Sequence, residues 1–167
     1  MAVFLRRIFI ITCCLIIPGA YAQTPLTETV NVNQSVLKMQ VNKGVKADDA
    51  IKALKSKADE LNMKFVAHQP LSKELAARGI ESRRLEIFQF CNPYDAYVLA
   101  KFNPIFAAYM PCRISLIEDK EGTIWLVMLN LDMQIENKTL PKTVNRLTKR
   151  VNAILVEIMT AGATGEF

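Results

Sequence analysis

The stretch from Cys112 to Leu131 constrains the fold more than any other. Two apolar runs, 112–118 and 123–131, flank Asp119-Lys120-Glu121-Gly122. That phrase reads as a hairpin loop with glycine at the position that takes a positive φ. Strands joined by so short a loop lie side by side and antiparallel. Upstream, residues 84–91 alternate as a further strand, with Leu85, Ile87 and Cys91 on one side and Glu86, Phe88 and Phe90 on the other.

Helices surround these strands. Asn92-Pro93 and Asn103-Pro104 each pair an N-capping asparagine with a proline at the first helical position. They predict short helices over 93–102 and 104–109, the second ended by Pro111. Strands are expected over 36–42 and 63–69, with an amphipathic helix between them carrying Ala50, Ile51, Leu54, Ala58 and Leu61 on one face. Residues 72–78 suit a short helix stopped by Gly79. The last helix, 141–160, shows a stripe of Val144, Leu147, Val151, Ile154, Leu155 and Ile158. Clustered strands with helices near the ends of the chain argue for an α+β fold, an antiparallel sheet with helices on one face.

The N-terminus has a different logic. Arg6 and Arg7 precede the apolar run 8–17, Pro18 and Gly19 break it, and Ala20-Tyr21-Ala22 closes it. A positive start, an apolar middle and an A-x-A end make residues 1–22 a signal peptide, cleaved before Gln23. Ten apolar residues are about half of the roughly 20 that a spanning helix needs. Residues 23–35 then read as a polar linker and 36–167 as one α+β domain. The expected destination is the periplasm. On a eukaryotic secretory route the sequons at Asn33 and Asn137 would matter.

Export changes the charge and cysteine balance. Of 21 basic and 16 acidic side chains, Arg6 and Arg7 leave with the leader, so the mature net charge is about +3. So small a surplus does not indicate a nucleic-acid partner, and no membrane partner is expected after cleavage. Four cysteines become two, Cys91 and Cys112, in an oxidising compartment. One ends a strand and the other begins the next. They read first as a structural disulfide, which would contribute roughly 3 kcal/mol. No C-x-x-C is present. The alternatives are two reduced core thiols, a thiol redox pair, or a soft-metal site of Cu(I) type in which Met110 or His68 assists.

Other chemistry is sparse. His68 is the single histidine, so a hydrolytic triad has one base to choose from. On a strand it is expected at a solvent edge or in one hydrogen bond. Glycine-rich phosphate loops, paired catalytic carboxylates and H-E-x-x-H are missing. Seven of the ten aromatics after Ala22 fall within residues 88–109. They form either a core beneath short helices or a concave ligand site, whose candidates are Phe88, Phe90, Asn92, Tyr94, Tyr97, Tyr109, Arg113 and Trp125. Lys142, Arg146, Lys149 and Arg150 share one side of the last helix, a solvated face or a surface for an acidic partner or anionic membrane. Asp132 reads as a turn residue or a ligand group.

The phrases Phe90-Cys91-Asn92-Pro93 and Met110-Pro111-Cys112-Arg113-Ile114 resemble the bacterial domain-of-unknown-function family 302. The likeness continues through Glu118–Gly122, Trp125 and Asn130-Leu131-Asp132-Met133. The resemblance implies a β-α-β4-α domain, similar to half of the TATA-box-binding-protein fold, with the short helices as insertions and dimers frequent. It implies no established activity. Many members carry Gly-Asn-Pro and Leu-Pro-Leu where this chain has its cysteines, which marks an exported subgroup. The expected function is a non-enzymatic binding or accessory domain for a small ligand or protein partner, disulfide-stapled. The alternative is thiol redox or Cu(I)-type binding at Cys91 and Cys112.

Overall fold

The computed structural model describes residues 35–131 and 140–166. The expected leader, most of the linker, the two sequons, Asp132 and Met133 lie outside the described residues. Five strands are present: β1 (Val36–Gln40), β2 (Lys64–Gln69), β3 (Leu85–Cys91), β4 (Cys112–Glu118) and β5 (Ile124–Leu129). They form one antiparallel sheet in the order β1-β5-β4-β3-β2. Helices α1 (Ala47–Glu60), α2 (Leu71–Ala76), α3 (Pro93–Phe102) and α4 (Lys142–Thr164) alternate with them, and a 3₁₀ turn of helix covers Pro104–Tyr109. The chain therefore has the α+β fold expected from its pattern and the β-α-β4-α order that the resemblance implies, with α2, α3 and the 3₁₀ helix as insertions.

Strand alternation decides which side of the sheet is covered. Phe88 and Phe90 of β3, Ile114 and Leu116 of β4, and Leu126 and Met128 of β5 point to the same face and are buried. They meet Ala50, Leu54 and Ala58 of α1 and Val151, Leu155, Ile158 and Met159 of α4. Burying each large apolar side chain contributes roughly 1.5–3 kcal/mol. The last helix runs four residues beyond the expected Thr160, because Ala161, Gly162 and Ala163 are small enough to be buried where α4 crosses α1 and β5.

The turn chemistry is local. Gly122 has φ +79°. Asp119 accepts hydrogen bonds from the backbone of Glu121 and Thr123 through Oδ1 and from the indole of Trp125 through Oδ2, at 2.7 Å. The indole bond is the largest influence on this carboxyl and, with the backbone bonds and Lys38, outweighs desolvation and holds it below its usual range. Asn92 caps α3 by accepting from the amides of Tyr94 and Asp95, and Asn103 caps the 3₁₀ helix through Ile105. Both Asn-Pro signals thus start the helices they predict.

Candidate functional site

Three neighbouring strand ends meet at one edge of the covered face. In the order β4-β3-β2, antiparallel pairing brings the start of β4, the end of β3 and the start of β2 together. Phe90 pairs with Cys112, and Cys91 pairs with Lys64, the residue after Met63. Met110 stands two residues before Cys112, across the cis Met110–Pro111 peptide. Together with α3, the 3₁₀ helix and α4 they enclose a cavity of about 40 Å³. Two thiols (Cys91, Cys112) and two methionines (Met63, Met110) line it, with Asn92, Asp95 and Tyr109.

The disulfide expectation is corrected here. Both cysteines are free thiols. The register supplies the reason: Phe90, not Cys91, is the cross-strand partner of Cys112. Cys91 is therefore one residue out of register with Cys112, and the two thiols do not face each other across the ladder. They are still near enough for Cys91 to raise the Cys112 thiol, although burial is the larger cause, and the Cys112 pKa is pushed up to about 11. Burial, then the Asp95 carboxylate, pushes Cys91 up as well. Such thiols are poor nucleophiles. At pH 8 a thiol with pKa near 11 is about one-thousandth thiolate. The expected result is that Cys112 alkylates at least about a hundredfold more slowly in the folded, reduced chain than in the unfolded one. Intact mass after timed iodoacetamide quenches checks it. Equal rates, or no alkylation until reductant is added, would contradict the buried free thiol.

Asp95 is the polar member of this wall and is 5 % exposed. Its Oδ1 accepts a hydrogen bond from Arg150 of α4. Its Oδ2 is buried without a hydrogen-bond partner. Neither Asp95 nor Met63 stood out in the sequence as a site residue. The available signals were the third position of a capped helix for Asp95 and the strand start opposite Cys91 for Met63.

The other candidate ligand residues are not brought together. Phe88 and Phe90 are fully buried core residues. Tyr94 and Tyr97 face solvent at 74 % and 60 % exposure. Trp125 clips the β4–β5 hairpin on the opposite sheet face, with Lys38 Nζ 3.8 Å from its ring centre. Arg113 is exposed on that opposite face. Only Asn92 and Tyr109 of the set line the cavity.

His68 also lies elsewhere. It pairs with Phe88, three residues along β3 from Cys91, or roughly 10 Å at strand rise. Its Nε2 is 2.6 Å from Glu86 Oε2, and its ring stacks on Phe88 at 4.5 Å. Glu86 is 2 % exposed, and Arg84, which also pairs with Asp48, donates to its other oxygen. Burial alone would raise the Glu86 pKa. The bonds and charges of Arg84 and His68 outweigh it and leave the group below its usual range. An acid on the Phe88/Phe90 side of a strand was the sequence's own signal that a partner was needed.

Comparisons with known proteins agree with this architecture. The family model described as "Domain of unknown function DUF302" matches residues 37–158. An uncharacterized protein of Aquifex aeolicus (strain VF5) is 28% identical over 103 residues, which is 61% of this chain and 65% of that relative. The chain thus spans about two thirds of the length of the curated relative it matches. The crystal structure of an uncharacterized conserved DUF302 protein from Bacillus stearothermophilus superposes with a TM-score of 0.64 at 16% identity. It covers 75% of this chain and 96% of that one. At that identity the likeness shows the fold.

Proposed function

The chain belongs to the DUF302 family, and from that premise we propose that it is an exported, non-enzymatic domain that binds a soft monovalent metal ion of the Cu(I) class at the sulfur-lined cavity. The convergence of Cys91, Cys112, Met110 and Met63 on one small apolar cavity carries this reading. Thiolate and thioether are the soft donors that select Cu(I). Thioethers are weak hydrogen-bond acceptors and cost little to bury dry. Methionine commonly fills core gaps, but here both methionines border a cavity shared with two thiols. Among the described residues no group of three or more His, Cys, Asp or Glu could hold a metal, which disfavours harder, borderline ions such as zinc.

A bound Cu(I) would be held by Cys91 and Cys112 as thiolates, their two protons passing to solvent, with Met110 or Met63 as thioether donor and no change of oxidation state. The high thiol pKa values disfavour thiol–disulfide exchange as the activity. His68, committed to Glu86, takes no part. The cysteine pair, in place of the glycine and leucine of many relatives, marks the exported subgroup to which this reading applies.

The test has two parts. Expressed from its full sequence in a bacterium, the protein is expected in the periplasmic fraction with a mass beginning at Gln23. An intact leader in the cytoplasm would overturn export. The reduced chain, titrated against the Cu(I)–bicinchoninate complex, is expected to withdraw one Cu(I) per chain. Loss of outer-shell groups alone costs about 10–100-fold in metal affinity, so Cys112→Ser should cost at least about a hundredfold and Met110→Leu about tenfold. His68→Gln should change nothing. No withdrawal of copper, or affinity indifferent to Met110→Leu, would overturn the metal site.

A further inference from the structure

The surface built by α3, the 3₁₀ helix and the first half of α4 carries most of the large exposed apolar side chains among the described residues. Exposed there are Tyr94 at 74 %, Tyr97 at 60 %, Phe102 at 44 %, Ile105 at 66 % and Tyr109 at 38 %. Inward, α3 buries only Asp95 and Leu99, and the 3₁₀ helix only Phe106. Folding therefore leaves Tyr94, Tyr97 and Ile105 mostly in water, and Phe102 and Tyr109 partly so. That is unusual for five neighbours along one segment.

The charges on the same surface are one-sided. Between Asn92 and Ile117 the only acid is Asp95, which is buried against Arg150, and between Leu140 and Val156 there is none. Lys101, Lys142, Arg146 and Lys149 are all exposed. Leu99 and Phe106 pack on Val144 with Leu140 and Leu147 beside them, and Asp95 pairs with Arg150. The inward sides of α3, the 3₁₀ helix and α4 thus meet in one cluster, so their outward sides are adjacent. Lys101 Nζ lies 5.8 Å from the Tyr97 ring centre.

We propose that this face is a peripheral docking surface for an anionic lipid bilayer, its tyrosines and Phe102 and Ile105 entering the headgroup region while the lysines and Arg146 meet lipid phosphates. It replaces the expectation that the cleaved chain has no membrane partner, and it is independent of the metal reading. Tyrosine rings, apolar with a polar tip, suit the membrane–water interface. Basic residues beside an apolar helix face add attraction to anionic lipid. Among the described residues no helix is long and apolar enough to cross a membrane, so the contact is with the surface.

The test is co-sedimentation of the mature chain with phosphatidylcholine vesicles, with and without phosphatidylglycerol. Binding is expected only with phosphatidylglycerol and should weaken as salt is raised. Neutralising Lys142→Gln and Lys149→Gln should each weaken partitioning about fivefold. The pair Phe102→Ser and Ile105→Ser should weaken it as strongly; because Phe102 also packs on Phe106, Ile105→Ser alone, at a site 66 % exposed, is the variant expected to weaken binding with the melting temperature unchanged. No recovery with phosphatidylglycerol vesicles would overturn the proposal. So would binding that follows the lysines but ignores Phe102 and Ile105, the behaviour of a polyanion or acidic-protein site.

Discussion

Arg84→Ala is expected to destabilise the fold by about 3–5 kcal/mol at neutral pH, the usual cost of leaving a buried charge without its partner. Glu86 is almost wholly buried between His68 and Arg84. Desolvation pushes its pKa up, and the hydrogen bonds and charge interactions with Arg84 and His68 pull it below the ordinary value of 4.5. In the native chain the depressed pKa means a stability contribution that is fully present above about 4.5. It is lost as pH falls through the lower, folded-state value. Without Arg84, desolvation gains on the single remaining partner, His68, and the native state then favours the protonated acid. The penalty of the variant should therefore be largest near neutrality and shrink as pH falls below 4.5. Chemical denaturation of both proteins across that range measures it. A penalty independent of pH would show that Arg84 acts through packing alone. The double change Arg84→Leu, Glu86→Leu should recover part of the loss, since a buried ion pair can be exchanged for apolar groups at small cost.

Gly162→Val is expected to cost about 3 kcal/mol, the upper end for overpacking a core. Helix propensity taken alone predicts the opposite sign, because glycine inside a helix is about 1 kcal/mol worse than alanine. The packing decides otherwise. A Cβ at Gly162 would lie 2.6 Å from Leu54 Cγ, 2.7 Å from its Cδ2 and 3.0 Å from Leu126 Cδ1. Leu54 and Leu126 are both fully buried, so neither can swing into solvent. Even Gly162→Ala should destabilise, by less than valine. Urea midpoints of the three proteins give the order, and a stabilised alanine variant would mean that α1 and α4 can separate slightly without loss.

The candidate site was legible only in parts. Cys91, Cys112 and Met110 draw attention in the sequence as sulfur-bearing residues near strand ends, and all three line the cavity. Spacing suggested a bond between the cysteines. The register prevents it by a single residue, because Phe90 occupies the position opposite Cys112. Met63 reached the same cavity through β2, which lies 22 residues or more from β3's end in sequence but next to it in the sheet. The aromatic cluster divided into core, capping segment and exposed face because residue type does not reveal which side of a short helix is covered. Tyr94 and Tyr97 are three residues apart, and both fall on the uncovered side of α3.

Local chemistry by itself determined much of the secondary structure. Asn-Pro pairs start helices because their caps are satisfied within a few residues. The Asp119–Gly122 loop closes a hairpin because a left-handed glycine and an aspartate accepting from following amides suffice. Alternation in β3 placed Phe88 and Phe90 together because a strand has a period of two. Tertiary structure alone decided the sheet order, the meeting of three strand ends at one cavity lined by Cys91, Cys112, Met63 and Met110, the Arg84–Glu86–His68 group and the approach of α4 to α1 at Gly162. These depend on contacts between distant residues. Their energies come from excluding water and matching shapes across elements, which no local window of sequence contains.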